Sequence, residues 1–188
     1  MTTDSAAVAP PRVVWTVGHS NRTIEEFLKL LAGSSIELVA DVRKTPSSKK
    51  FPHFNASALA EALAEAGVQY RHYPELGGRR GKRAPDSPNT GWRIEAFNAF
   101  ADHLESPEGE TAVADLSARA EVSRTAYMCS EAVPWQCHRR LLSDALVVRG
   151  LQVFDIMSPG KVVPHKMTPF LRVQEGRLTY PAEPLLPD

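Results

Sequence analysis

Four short runs of apolar, β-prone residues recur along this chain, and each of the first three leads toward a stretch with helical periodicity. They are Arg12 to Val17 (RVVWTV), Ile36 to Val42 (IELVADV), Thr125 to Cys129 (TAYMC) and Leu151 to Ile156 (LQVFDI). Strands that are apolar almost without alternation are buried on both faces, and parallel neighbours need crossover helices between them. With Val68 to Tyr73 as a more polar fifth run, the pattern predicts an α/β fold. The expected architecture is a mostly parallel central sheet of about five strands with helices on both faces and a C-terminal hairpin.

Local signals place the elements between these strands. Thr23-Ile24-Glu25-Glu26 matches a capping box, with Thr23 as N-cap. The helix it opens carries Ile24, Phe27, Leu28 and Leu31 on one face and is expected to stop at Gly33. Ser57 is expected to cap a second helix that ends before Gly67, and further helices are expected at about 92–104 and 109–120. Between them lies Pro74 to Gly91, a long loop rich in Gly, Pro and Arg, of the kind that is usually functional or mobile. Glu175-Gly176 between β-prone runs predicts the terminal hairpin. Residues 1–11, small and polar and ending in Pro10-Pro11, read as a disordered lead-in to a single α/β domain over 12–188.

The densest chemistry lies in Thr125 to Val148, read as strand, polar loop and helix. The strand delivers Cys129 and Glu131 to the point where the loop leaves the sheet. Pro134 suits a first helical position, and Cys137, His138 and Arg139 then fall in or near the opening turn. From His138 the apolar positions Leu141, Leu142, Ala145 and Leu146 follow the spacing of a core-facing stripe. His138 therefore heads the buried face.

Composition narrows the class. Lys plus Arg and Asp plus Glu are 22 each, so global charge gives no support to a nucleic-acid or membrane-surface role. A local basic patch leaves nucleic-acid contact open. No apolar run approaches ~18 residues, and the N-terminus lacks the basic and apolar segments of a secretory signal. Two cysteines do not make a disulfide scaffold, so a reducing cytoplasm is the expected location.

In open parallel sheets ligands bind beyond the carboxyl ends of the strands. Four successive strand ends here carry His19 and Ser20, Asp41 and Arg43, Tyr73 with Gly77-Gly78, and Cys129 with Glu131. Val17-Gly18-His19-Ser20, Asp41-Val42-Arg43 with Pro46-Ser47, Tyr73 with Leu76-Gly77-Gly78, and Cys129-Ser130-Glu131 before Cys137-His138-Arg139 together resemble the domain of unknown function 488 family. The resemblance covers about Val13 to Pro159. It implies an α/β domain with its motif residues clustered at one edge of the sheet, and it implies no activity.

Several specific chemistries are excluded by spacing. A Cys-x5-Arg phosphate cradle starting at Cys129 needs arginine at 135, where Trp135 stands. Neither GxGxxG nor GxxxxGK[ST] occurs, which removes dinucleotide and P-loop readings. Cys-x-x-Cys is absent, so a thiol-based redox protein would have to pair Cys129 with Cys137. Cys129, Cys137, His138 and His19 hold metal-donor atoms, but Cys-x7-Cys is not a zinc-knuckle spacing, and no metal is expected. No cofactor is specified.

The remaining reading is an enzyme acting on a small or nucleotide-like anionic substrate in one polar pocket. Cys129, Glu131, His19, Asp41 and His138 are its candidate catalytic groups, with Cys129 as nucleophile or wall and the carboxylates and His19 handling protons. Gly18, Ser20, Arg43, Ser47, Tyr73, Gly77, Gly78, Arg79, Cys137 and Arg139 are its candidate ligand contacts. The alternatives are a binding module for such a ligand or a nucleic-acid end, without chemistry, and the thiol-based redox protein.

Overall fold

The computed structural model describes residues 12–182, so the lead-in expected over 1–11 lies outside the described residues. Five strands run parallel: β1 (Val13–Gly18), β2 (Leu38–Asp41), β3 (Gln69–His72), β4 (Thr125–Cys129) and β5 (Gln152–Ser158). A sixth, β6 (Lys161–Pro164), returns antiparallel to β5 through a turn at Gly160 (φ 72°). The sheet order is β3-β2-β4-β1-β5-β6. The sequence reading missed β6, whose residues are exposed or half-buried and so lack the apolar signature of the central strands. Strand β3 is polar for the same reason, since it closes the opposite edge.

Two helical layers cover the sheet. On one face α1 (Ile24–Gly33) and α2 (Ala56–Glu65) pack Phe27, Leu30, Leu31, Leu59 and Leu63 against Trp15, Val17, Val39 and Met128. On the other, α3 (Glu95–Leu104), α4 (Pro107–Val122) and α5 (Arg139–Val148) pack Phe100, Leu116, Leu141 and Leu142 against Val14, Ala40, Val42 and Tyr127. Each fully buried Leu or Phe contributes about 1.5–3 kcal/mol, and these two layers hold most of them. The small hairpin of β7 (Arg172–Gln174) and β8 (Arg177–Thr179) turns at Glu175 and Gly176, both at positive φ, as the sequence signal requires.

Three local expectations are corrected. The capping box at Thr23 is present in both directions, but Gly33 is the last residue of α1, and the left-handed position falls at Ser35 (φ 50°). Asn55, not Ser57, is the N-cap of α2, and its side-chain oxygen accepts from the Ser48 N–H rather than from its own helix. Pro134 begins a separate single turn of 3-10 helix over Pro134–Gln136, while α5 starts at Arg139 with His138 as its N-cap residue. The loop after β3 is also less free than its composition suggested. Leu76 is fully buried at its start, and near its end Asn89 donates to Asp102 and accepts from the Tyr180 N–H.

The topology has one reversal that matters for function. After β1 the chain moves over α1 to β2 and β3; after β4 it crosses the opposite face by α5 to β5. Strands β1 and β4 are neighbours, yet their outgoing loops part to opposite faces. This is the switch point at which open α/β sheets form a ligand crevice, at the carboxyl edge, and here the polar residues that meet at it are buried.

Candidate functional site

Two polar groups meet at this crevice, one on each side of the sheet. On the α5 side are Cys129, Cys137 and His138, all buried. The His138 ring is held by its Nε2, which donates to the Val42 carbonyl at 3.1 Å. That bond puts a ring proton on Nε2, because a carbonyl only accepts, so Nδ1 is the nitrogen left to the sulfurs. Nδ1 faces Cys137 Sγ at 3.5 Å and Cys129 Sγ at 4.0 Å. Gly78 is needed behind the ring: a Cβ there would lie 2.3 Å from His138 Cγ.

The thiols differ. Burial pushes Cys137 up, but the S–H of Cys129, the Arg139 charge and the Arg139 N–H groups outweigh it and bring Cys137 down to about 6. The neighbouring Cys137 and burial together push Cys129 up to about 12. The thiolate therefore belongs to Cys137, beside the first residue of α5, where backbone N–H groups and the helix dipole favour negative charge. Sequence reasoning had placed Cys129 among the catalytic candidates and Cys137 among the ligand contacts.

Arg139 is the unusual charge. It is 1% exposed and donates to Thr16 Oγ1 at 2.9 Å and to the Glu131 carbonyl at 2.6 Å, while its Nε has no partner. Among the described residues no carboxylate lies within ion-pair distance of it. A buried guanidinium without an ion pair is costly; Cys137 and Asp155 are the buried acidic groups that its charge favours in their ionised forms. Gly18 permits this arrangement, since a Cβ on it would sit 1.8 Å from the Glu131 oxygen that Arg139 grips.

On the α1–α2 side, Asp41 and Arg43 share a face, as their alternation on the strand end requires. Arg43 donates to both Asp41 oxygens, Nε at 2.8 Å and Nη2 at 2.6 Å, and Tyr70 donates its hydroxyl to Oδ2 at 2.8 Å. Arg43 Nη1 then donates to His19 Nε2 at 3.3 Å, because His19 Nδ1 is committed to the Ser20 carbonyl at 2.9 Å. Burial, aided by the Arg43 charge, lowers His19 to about 4 although the Ser20 bond opposes it. With its lone pair covered by a guanidinium, His19 is a neutral spacer that orients Arg43. Asp41 is likewise filled by donors and acts as a clamp.

The two groups touch through backbone. The His19 N–H donates to the Cys129 carbonyl at 3.0 Å and the Ser20 N–H to the Ser130 carbonyl at 2.9 Å. Ser20 pays for this with a left-handed backbone, φ 52°, a strain of the kind stored at functional sites. Val42, which holds His138, is the residue between Asp41 and Arg43.

Other expected members stand apart. Tyr73 is buried away from the crevice, with its hydroxyl donating to Asp115 of α4 at 2.7 Å. Ser47, Arg79 and the Glu131 side chain are exposed, and Gly77 packs against the backbone of Lys44. Arg80 rather than Arg79 is tied down, through Nε to the Gly77 carbonyl at 2.9 Å. The sequence reading missed Tyr70 and Thr16, and it weighed Phe54 only as packing or a base-stacking surface, whereas its ring stacks on His19 at 4.1 Å. Tyr70 was findable, since on β3 it pairs in register with Val39 on the Asp41 face. Phe54 ends the single turn Pro52–Phe54, and nothing in the sequence tied its ring to His19.

Cys129, Cys137 and His138 each offer a ligand atom, all within 4.8 Å of one another. That is a three-donor set suited to a thiophilic cation such as zinc. No helix is long and apolar enough to cross a membrane among the described residues.

A family model described as a domain of unknown function, DUF488, matches residues 23–146. The match runs from the cap of α1 into α5 and contains Asp41, Arg43, Gly77, Gly78 and the whole Cys129–Arg139 segment, while β1 lies before it. No curated protein and no solved structure matches the chain.

Proposed function

The chain belongs to the DUF488 family, whose name assigns no activity, and from that premise we propose that it is a thiol-dependent enzyme acting on a small anionic substrate. The observation that carries this reading is the His138 tautomer: with Nε2 committed to Val42, its basic Nδ1 faces the Cys137 thiol at 3.5 Å. The Cys137 proton passes to Nδ1, and the thiolate attacks an electrophilic centre of the substrate. The leaving group departs with that proton from His138, and water, giving a proton to Nδ1, then attacks the same centre and breaks its bond to Cys137, whose sulfur recovers its proton from His138. Arg139 stabilises the thiolate before attack, and Arg43, preset by Asp41 and His19, contributes positive charge across the crevice. Cys129 serves as hydrogen-bond donor and wall. Cys137 is 2% exposed, so substrate enters when the largely exposed loop over 130–136 moves aside.

Incubation with a metabolite extract, followed by untargeted mass spectrometry, tests the reading. Turnover should be abolished in Cys137→Ser and retained in Cys129→Ser, with the latter losing about 1 kcal/mol of stability through burial of a hydroxyl. Retained turnover in Cys137→Ser would end the proposal.

A second reading is favoured by the three clustered donors. A histidine that ligates through one nitrogen while the other donates to a backbone carbonyl is the usual arrangement at metal sites. In that reading Cys129, Cys137 and His138 hold zinc with one position open. Stoichiometric zinc in the purified protein, with both thiols unreactive until chelation, would select it over the free thiolate.

A further inference from the structure

Beside the thiol centre, on the α5 side of the sheet, lies a cleft of about 580 Å³ that none of the groups above uses. Its size falls within the ordinary range for small-molecule sites, and its walls follow their usual recipe of apolar surface with a few polar groups. Trp135 stands at one side, 54% exposed, two residues before Cys137. Lys161 and Lys166 are exposed along the other, and among the described residues neither has an ion-pair partner. Asp155 of β5 also lines the cleft and is 6% exposed; its Oδ1 is shut off from solvent without a partner, and its Oδ2 keeps what exposure the carboxylate has, with His165 3.9 Å away and no hydrogen bond.

A carboxylate this deeply buried, with no hydrogen bond to either oxygen, calls for a donor, and Oδ2 is the oxygen a donor in the cleft can reach. An exposed tryptophan offers a flat stacking surface, and the two lysines offer positive charge at a distance from the carboxylate. We infer that this cleft is a subsite for a nucleoside monophosphate, with its base stacked on Trp135, an amino or ring N–H donated to Asp155, and its phosphate between Lys161 and Lys166. Burial raises the Asp155 carboxyl above its usual range although His165 and Arg139 oppose it, and a neutral donor in the cleft would relieve that burial. Arg140 also lines the cleft, but its Nε is donated to Thr168 Oγ1 at 3.0 Å and its guanidinium lies over the Trp92 ring at 5.4 Å, so the phosphate contact is assigned to the two lysines. The inference deepens the enzymatic reading by naming the substrate class, and rests on it for the link between this cleft and Cys137.

Equilibrium dialysis with AMP, adenosine and inorganic phosphate tests it on the full chain. AMP should bind at least about tenfold more tightly than either fragment, a difference of about 1.4 kcal/mol. Trp135→Ala and the double change Lys161→Ala, Lys166→Ala, all at exposed positions, should each weaken AMP at least about tenfold; Asp155→Asn should do the same. Equal binding of phosphate and AMP, equal binding of adenosine and AMP, binding unaffected by the exposed-residue changes, or no AMP binding would each overturn it. AMP binding that survives in Cys137→Ser upholds the subsite even if that variant shows the thiol chemistry to be wrong.

Discussion

At the scale of single residues, the site is decided by which nitrogen of each histidine meets a carbonyl. His138 spends Nε2 on Val42 and keeps a basic Nδ1 beside sulfur, whereas His19 spends Nδ1 on Ser20 and has its remaining lone pair covered by Arg43. The same side chain thus turns a ring nitrogen toward sulfur in one place and is a spacer in the other. For His19 the consequence is measurable as stability. The folded protein resists charging it until about pH 4, while the unfolded chain charges it near 6.5. Its contribution is complete above the unfolded value and is lost as pH falls toward the folded one, by roughly 3 kcal/mol at most. Urea unfolding at neutral and mildly acidic pH should show that loss, and His19→Gln should remove this part of it. An unchanged pH dependence in the variant would mean that His19 is not held neutral. The pairing of Asp41 with Arg43 was legible from strand alternation alone. The division between Cys129 and Cys137 was not, because it depends on which sulfur lies beside Arg139 at the start of α5.

At the scale of elements, sequence signals were reliable where a motif closes on itself and misled where the partner is distant in the chain. The Thr23 capping box needs only residues three apart, and both of its hydrogen bonds form, at 3.2 and 2.9 Å. Ser57 looked like a comparable cap, but Asn55 starts α2 because the single turn over Pro52–Phe54 delivers the chain there first. Thr23→Ala should therefore cost about 1 kcal/mol in chemical denaturation, and Ser57→Ala, at an exposed helical position, no more than about 0.5 kcal/mol. A larger loss at Ser57 would contradict the observed start of α2. Pro134 misled for a related reason: proline suits the first turn of a 3-10 helix as well as that of an α-helix, and nothing in its own neighbourhood distinguishes them. Strand β6 was missed because an edge strand that pairs on one side needs no apolar run.

At the scale of the whole molecule, alternating strands and helices made the parallel sheet and its two helical layers legible, and with them the edge at which the polar residues gather. The strand order was not legible, although it creates the crevice by setting β4 beside β1 while their loops diverge. The lowering of Cys137 depends on that order: Val42 at the end of β2 orients His138, Thr16 on β1 anchors Arg139, and Arg139 at the start of α5 brings its charge and its N–H groups to Cys137. No part of the chain makes it alone, so unfolding should return Cys137 to an ordinary thiol. Ultraviolet thiolate absorbance, followed against pH in the native and the denatured protein, tests this most directly. A native step near pH 6 that disappears in Cys137→Ser, persists in Cys129→Ser and moves to about 8.5 on denaturation is the predicted result. A native protein with no thiolate step below about 8.5, or one whose step vanishes with Cys129 instead, would contradict it.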